Sequence, residues 1–295
     1  YDTPLTVTFS DTQTLGAFGS IKIFNATNPA TPVDIINAAA ELVQQRNFPG
    51  DGQSFSYRTI SISGKSVTIY PHFNVLTSNA TYYVTIDPKT FKDSEGVNFV
   101  GLTDTNVWQF STKPGGPVDA NNVVVNPDGT GDYLTVQGAV NDIPAGNTTP
   151  RVINIHDGIY TEIVDIAGRH NVTFRGQSRT GTLVGYPNNA TFQAANGGTT
   201  HARMAFKVNA NDIAIENLTI TNMTPQGGSQ AEALMIESSA KRCIVNNATV
   251  VSRQDTILAN VNSSQAYFYK STVLGNFDYI WGGGNLYFDQ CEIRT

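Results

Sequence analysis

A chain of 295 residues, 40% hydrophobic and 14% charged, is long enough for one large domain or two ordinary ones, each with its own core. A net charge of −6 and a pI near 5.1 argue against nucleic-acid or anionic-membrane partners, since both demand a basic face. Abundant Asn, Thr, Gly and Ser favour strands and tight turns, no run approaches the length of a transmembrane helix, and Cys243 and Cys291 form neither a zinc motif nor a disulfide framework and read as small buried fillers.

The opening YDTPLTVTF has neither the basic start nor the apolar core of a signal peptide, and at Tyr1 the chain is expected to begin inside the sandwich. Alternation in LTVTF, SIKIF, RTISI, SVTIY, TYYVTI and NVWQFST predicts short strands of an immunoglobulin-like sandwich, with one helical insert over Asp34–Arg46 and Trp108 in the core. From TYYVTIDPKTFKDSEG to WQFST the chain resembles bacterial Ig-like modules, which implies a spacer without chemistry. Pro and Gly cluster in STKPGGPVDANN, so the expected division is a sandwich over 1–113, a linker over 114–121 and a second domain over 122–295.

In the second domain DYLTVQGAVNDI, Asp132 to Ile143, reads as the one amphipathic helix, with Asp132 as its N-cap. Stacked strands follow. DIAIENLTITN from Asp212, RCIVNNATVVS from Arg242, AYFYKSTVLGN from Ala266 and LYFDQCEIRT from Leu286 align without gaps, putting Asn217, Asn247, Ser271 and Cys291 in one corner column. Imperfect repeats at intervals of thirty, twenty-four and twenty residues suit a solenoid, the simplest being a right-handed parallel β-helix, so the fold class is all-β. Corner Asn side chains can bond their neighbours above and below as a ladder. Nine glycosylation sequons, at Asn25, Asn79, Asn147, Asn171, Asn189, Asn217, Asn222, Asn247 and Asn262, then arise from Asn- and Thr-rich turns.

Counted from that column, Gln254 and Asp278 lie seven residues on and Asp255 eight, so the two aspartates project from adjacent coils on one face. Like charges that close do not both ionise, which leaves one proton-bearing carboxyl and one carboxylate. Gln254 and, one coil earlier, Gln230 add amide N–H donors of the kind an oxyanion needs. Two acids and two amides fit acyl transfer to water. His72, His156, His170 and His201 lack metal-ligand spacing, and Gly282, Gly283 and Gly284 lack the Lys and helix of a phosphate loop, so neither metal nor cofactor is expected.

Five motifs in order then identify a resemblance to the pectin methylesterases, carbohydrate esterases acting on methyl-esterified homogalacturonan. They are VVVNPDGTGDYLTVQGAV, GIYTE at Gly158–Glu162, QAEAL at Gln230–Leu234 where the family has Gln-Ala-Val-Ala-Leu, QDTI at Gln254–Ile257, and DYIWG at Asp278–Gly282. The resemblance implies Asp278 as nucleophile, Asp255 as acid and then base, Gln230 and Gln254 on the oxyanion, and Trp281 and Tyr160 against the substrate, with Glu162 a structural hydrogen-bonding group. It also implies a secreted or cell-surface protein that acts on pectin, expected as a monomer, without nucleic-acid contact or membrane insertion. The family's catalytic arginine sits in a Leu-Gly-Arg-Pro-Trp motif absent here; Arg294 lacks that context, and the solenoid is expected to continue past Thr295. Two other readings stand beside it: a non-catalytic pectin-binding or adhesive β-helix, and a pectin-cleaving glycosidase, whose Gly-His-Gly and Arg-Ile-Lys motifs are missing.

Overall fold

The computed structural model describes residues 4–47, 53–261 and 263–295. These fall into two units, one running through Arg46 and over Ser56–Gly116, the other comprising Pro117–Thr295 with the described residues among Asn47–Phe55. The sequon at Asn262 and the expectation for Tyr1 lie outside the described residues.

In the first unit, strand Ser20–Asn25 pairs antiparallel with Asp34–Asn37 on one side and Thr81–Ile86 on the other, and Gln109–Ser111 extends that sheet. A second sheet joins Leu5–Thr8, Ser66–Ile69 and Ile60–Ser63. Alternating residues, Ile21, Ile23, Val67, Ile69, Tyr82 and Val84, are buried in one core, against which Trp108 packs partly exposed. The helix expected over Asp34–Arg46 does not form. Asp34 and Ile36 are buried while Ile35 and Asn37 face outward, so a period of two wins over the helix propensity of Ala38–Ala40. Asn37 Oδ1 then accepts from the amides of Ala39 and Ala40, turning the chain toward strand Val43–Asn47.

The second unit is a parallel β-helix in which successive coils add a strand to each of three parallel sheets. The sheets run from Asn122–Val125 to Asn285–Asp289, from Gly158–Thr161 to Glu292–Arg294, and from Val164–Ala167 to Ile280–Gly282. Residues at equivalent positions stack inside: Ile153, Phe174, Ile215, Val245 and Phe268 form one column, and the rings of Phe268 and Phe288 lie 4.7 Å apart. The helix near the start is shorter than expected, Val136–Asn141, and Thr135, not Asp132, caps it by accepting from Gly138 N at 3.0 Å. Asp132 instead accepts from Val124 N at 2.8 Å, and the Glu162 carboxylate receives the amides of Val136 and Gln137 at 2.8 Å each. Free helix-start N–H groups favour such an anion, and the buried Val136, Ala139 and Val140 extend the solenoid core. A second short helix, Ala190–Ala195 capped by Asn189, interrupts what the sequence presents as strands alone.

The repeat register differs from the gapless alignment by one residue in the last two coils. Asn246 pairs with Tyr269 and Tyr269 with Asp289, so the corner column is Asn217, Asn247, Lys270 and Gln290, and Ser271 and Cys291 follow it. All four corner residues have positive φ, between 48° and 57°. Asn adopts this left-handed conformation more readily than most residues. The Asn ladder is one rung long, from Asn247 Nδ2 to Asn217 Oδ1 at 2.8 Å. Two other sequon residues, Asn147 and Asn222, are buried and hold backbone carbonyls together.

Candidate active site

Correcting the register brings the two aspartates level. Ile257 pairs with Ile280, Gln254 bridges Phe277, and Asp255 N donates to Phe277 O at 2.9 Å, so Asp255 and Asp278 occupy the same position on consecutive coils. Neighbouring coils are spaced as strands are, about 4.8 Å apart. Both aspartates sit at positive φ, 57° and 42°, at the corner that leads into strands Ile257–Ala259 and Ile280–Gly282. The turn is braced from within, since the buried Ser252 hydroxyl donates to Ala231 O at 2.6 Å and Thr256 Oγ1 to Leu274 O at 2.9 Å.

Their surroundings differ. Asp255 is buried and Asp278 exposed. Burial, reinforced by the charge of Glu232 and opposed by Arg203, with Asp278 adding to the rise, lifts the Asp255 carboxyl from 3.8 to about 6. Asp255 therefore keeps its proton well above the range of an ordinary carboxylate.

Gln254 is half-buried and Gln230 exposed, and neither side-chain amide has a hydrogen-bond partner among the described residues. Their donors are free. Trp281 follows the second aspartate, 37% exposed, with the Arg203 guanidinium carbon 5.6 Å from its ring centroid. Tyr160 is not on this face: it is 3% exposed in the solenoid core and its hydroxyl donates to His156 O at 2.9 Å. A core aromatic with a satisfied hydroxyl is a packing residue, so the expected substrate contact is corrected. Glu162, as expected, is a structural group, holding the start of the first helix through its two amide contacts. Arg294 lies in the groove formed by residues including Thr221, Thr224, Arg253, Leu274 and Asn276, and its charge meets Glu292 at 3.4 Å, not Asp278.

Two residues of the site escaped the sequence reading. Glu232, fully buried, stands level with Asp255 one coil earlier, because Leu234 pairs with Ile257. Arg203 reaches it from the coil before, with Nε 2.9 Å from both carboxylate oxygens and Nη2 2.8 Å from Oε1, and Nη2 is 3.6 Å from Asp255 Oδ2. The only signal was the Glu in QAEAL, where the resembling motif has Val. Among the described residues no group of three or more His, Cys, Asp or Glu is arranged to hold a metal ion.

Fold and site together define a parallel β-helix with a carboxyl pair stacked on consecutive coils, Gln254 adjoining Asp255 in the chain and Gln230 two residues before Glu232. The pectinesterase family model matches residues 122–295, and the chain belongs to that family; a bacterial Ig-like domain model matches residues 2–112. Pectinesterase 31 of Arabidopsis thaliana is 33% identical over 179 residues, covering 58% of this chain and 55% of the relative. The pectinesterase/pectinesterase inhibitor U1 of Solanum lycopersicum is 32% identical over 179 residues, covering 59% of this chain and 28% of its own length. Among solved structures, the pectin methylesterase from carrot superposes with a TM-score of 0.53 at 28% identity, over 61% of this chain and 54% of that one. A pectin methylesterase mutant crystallised with a hexasaccharide superposes with a TM-score of 0.52 at 26% identity, over 58% and 54%. This chain thus spans about half the length of these two solved structures.

Proposed function

We propose that the solenoid hydrolyses the methyl esters of homogalacturonan, releasing methanol and leaving free carboxylates. One observation carries the reading: two aspartates level on consecutive coils, one exposed and one buried with its proton held to about 6, beside two unengaged amides. An Asp278 oxygen attacks the ester carbonyl carbon, and negative charge gathers on the carbonyl oxygen, where Gln230 and Gln254 donate. As the bond to methoxide breaks, Asp255 passes its proton to the departing oxygen and methanol leaves. Water then attacks the acyl-aspartate carbon and gives a proton to the Asp255 carboxylate. The Asp278–acyl bond breaks, and both acids return to their starting states. The exposed face of Trp281 provides a stacking surface for a sugar ring. Because the substrate is an extracellular polymer, the protein would act outside the cell or on its surface.

The test is incubation of the chain with methylated pectin, measuring methanol, reducing ends and retained polymer. Methanol without reducing ends supports the esterase. Reducing ends would point to a glycosidase, and retention with neither product to a binding module.

A further inference from the structure

The esterase reaction leaves the Arg203–Glu232 pair without a task. Its placement is tightly determined: Asn222 Nδ2 donates to the carbonyls of both residues, at 3.1 Å to Arg203 and 3.0 Å to Glu232, and Ala205 N donates to Glu232 O at 2.9 Å. Side-chain exposure is 10% for Arg203 and zero for Glu232. A buried ion pair is not in itself a stabilising device, because desolvating both charges offsets most of their attraction and an apolar pair of the same volume often serves as well. Its position points to another use. The guanidinium touches both the acid, at 3.6 Å, and the aromatic platform, at 5.6 Å.

We propose that Arg203 and Glu232 form a positioning unit for this site, in which Glu232 restrains the Arg203 charge so that Asp255 remains an acid, while Arg203 backs the inner face of Trp281. The proposal rests on the reading of Asp255 as the proton donor. A lone guanidinium at 3.6 Å would favour the Asp255 carboxylate, and a carboxylate has no proton for methoxide. Glu232 removes that outcome by taking Nε and Nη2 for itself, so the cation has a closer anion, and its own negative charge further disfavours ionisation of Asp255. The other charges near the pair are Asp278 on the next coil, which acts in the same direction, and exposed His201, whose charge favours the Glu232 carboxylate. A cation on one side of an indole also fixes its plane, leaving the outer face for a sugar.

The experiment uses the whole chain with carboxyl-labelled aspartate, the Asp255 resonance being assigned by its loss in Asp255→Asn. NMR titration is run beside the pH dependence of methanol release. In Glu232→Gln, nearly isosteric, the Asp255 midpoint falls by about one unit, and the alkaline limb of kcat moves down with it while KM changes little. Arg203→Met raises the midpoint, shifts Trp281 emission and raises KM. Arg203→Lys restores the midpoint but not the emission, since an ammonium on a flexible stem does not reproduce the guanidinium's place over the ring. If Arg203→Met does not fold, Glu232→Gln and Arg203→Lys carry the comparison. An Asp255 midpoint that stays within about 0.3 units in Glu232→Gln overturns the proposal whatever the activity. Midpoints that move as expected in a chain releasing no methanol support the unit and overturn the esterase reading instead.

Discussion

Removing the Asp255 carboxyl should stabilise the solenoid, and by an amount that depends on pH. In the unfolded chain this group ionises near 3.8; in the folded chain it holds its proton to about 6. Between those values the folded state binds the extra proton, so the wild-type protein loses stability as pH rises through the interval and stays at the lower level above it. A difference of roughly two units corresponds to a ceiling of about 3 kcal/mol. The side chain is only 6% exposed, so solvent screening takes little from that figure, although losing the Arg203 contact at 3.6 Å subtracts from the gain. Asp255→Asn is therefore expected to be near neutral at pH 4 and more stable than wild type by about 2 kcal/mol at pH 8.

Because the chain has two units, a global melt would mix two transitions. A Trp108→Phe background leaves Trp281 as the sole tryptophan, so its emission during urea titration reports on the solenoid. The quantity to follow is the difference between Asp255→Asn and Asp255 chains at pH 4, 5, 6, 7 and 8. A difference that grows up to about 6 and then levels agrees with a carboxyl held protonated by burial. One that is flat with pH would refute the reasoning and remove the acid assignment with it.

Four further outcomes are expected. Asp278→Asn abolishes methanol release with an unchanged circular dichroism spectrum, and near-normal turnover would take Asp278 out of the mechanism. Gln254→Ala lowers kcat by about 10²-fold with a smaller change in KM, whereas an effect on KM alone would make it a substrate-positioning residue. Gly282→Ala destabilises the coil beside the nucleophile, because φ is 106° and an added Cβ would lie 2.1 Å from Ala259 O; a urea midpoint equal to wild type would show that this close approach is not needed. Phe268→Ala costs about 3–5 kcal/mol through loss of a fully buried ring stacked on Phe288, and amide exchange in strands Cys243–Asn246 and Asn285–Asp289 would reveal whether the cavity collapses at lower cost.

The solenoid was legible because its periodic apolar runs and polar corners are imposed by stacking, and the aspartates because their motifs are local strings. The helix expected at Asp34–Arg46 failed where composition and period disagreed: Ala38–Ala40 favour a helix, while Ile36 inside and Ile35 outside obey a strand. Tyr160 failed because a motif tyrosine carries no mark of which way its ring points, and here it points into the core. Arg203 and Glu232 were hidden for a different reason. Twenty-nine residues separate them in sequence, and only the stacking of coils brings them together under Asp255.

The one-residue slip in the corner column shows how register governs chemistry in such a fold. Side chains along a strand alternate between faces, so aligning Ala266 with Asp212 and Arg242 would turn Tyr267 and Tyr269 inward and Phe268 out to solvent. The observed pairing does the reverse: Phe268 is fully buried, and the Tyr267 hydroxyl reaches Asp289 at 2.7 Å on the outer face. Two tyrosine hydroxyls without partners in a closed core would be costly, and that cost alone favours the observed register over the gapless one. The same shift carries Asp278 from beside Gln254 to directly beside Asp255. A stack that puts one acid below the other, each at a left-handed corner, makes their mutual charge unavoidable; burying only the lower one determines which of the two keeps the proton.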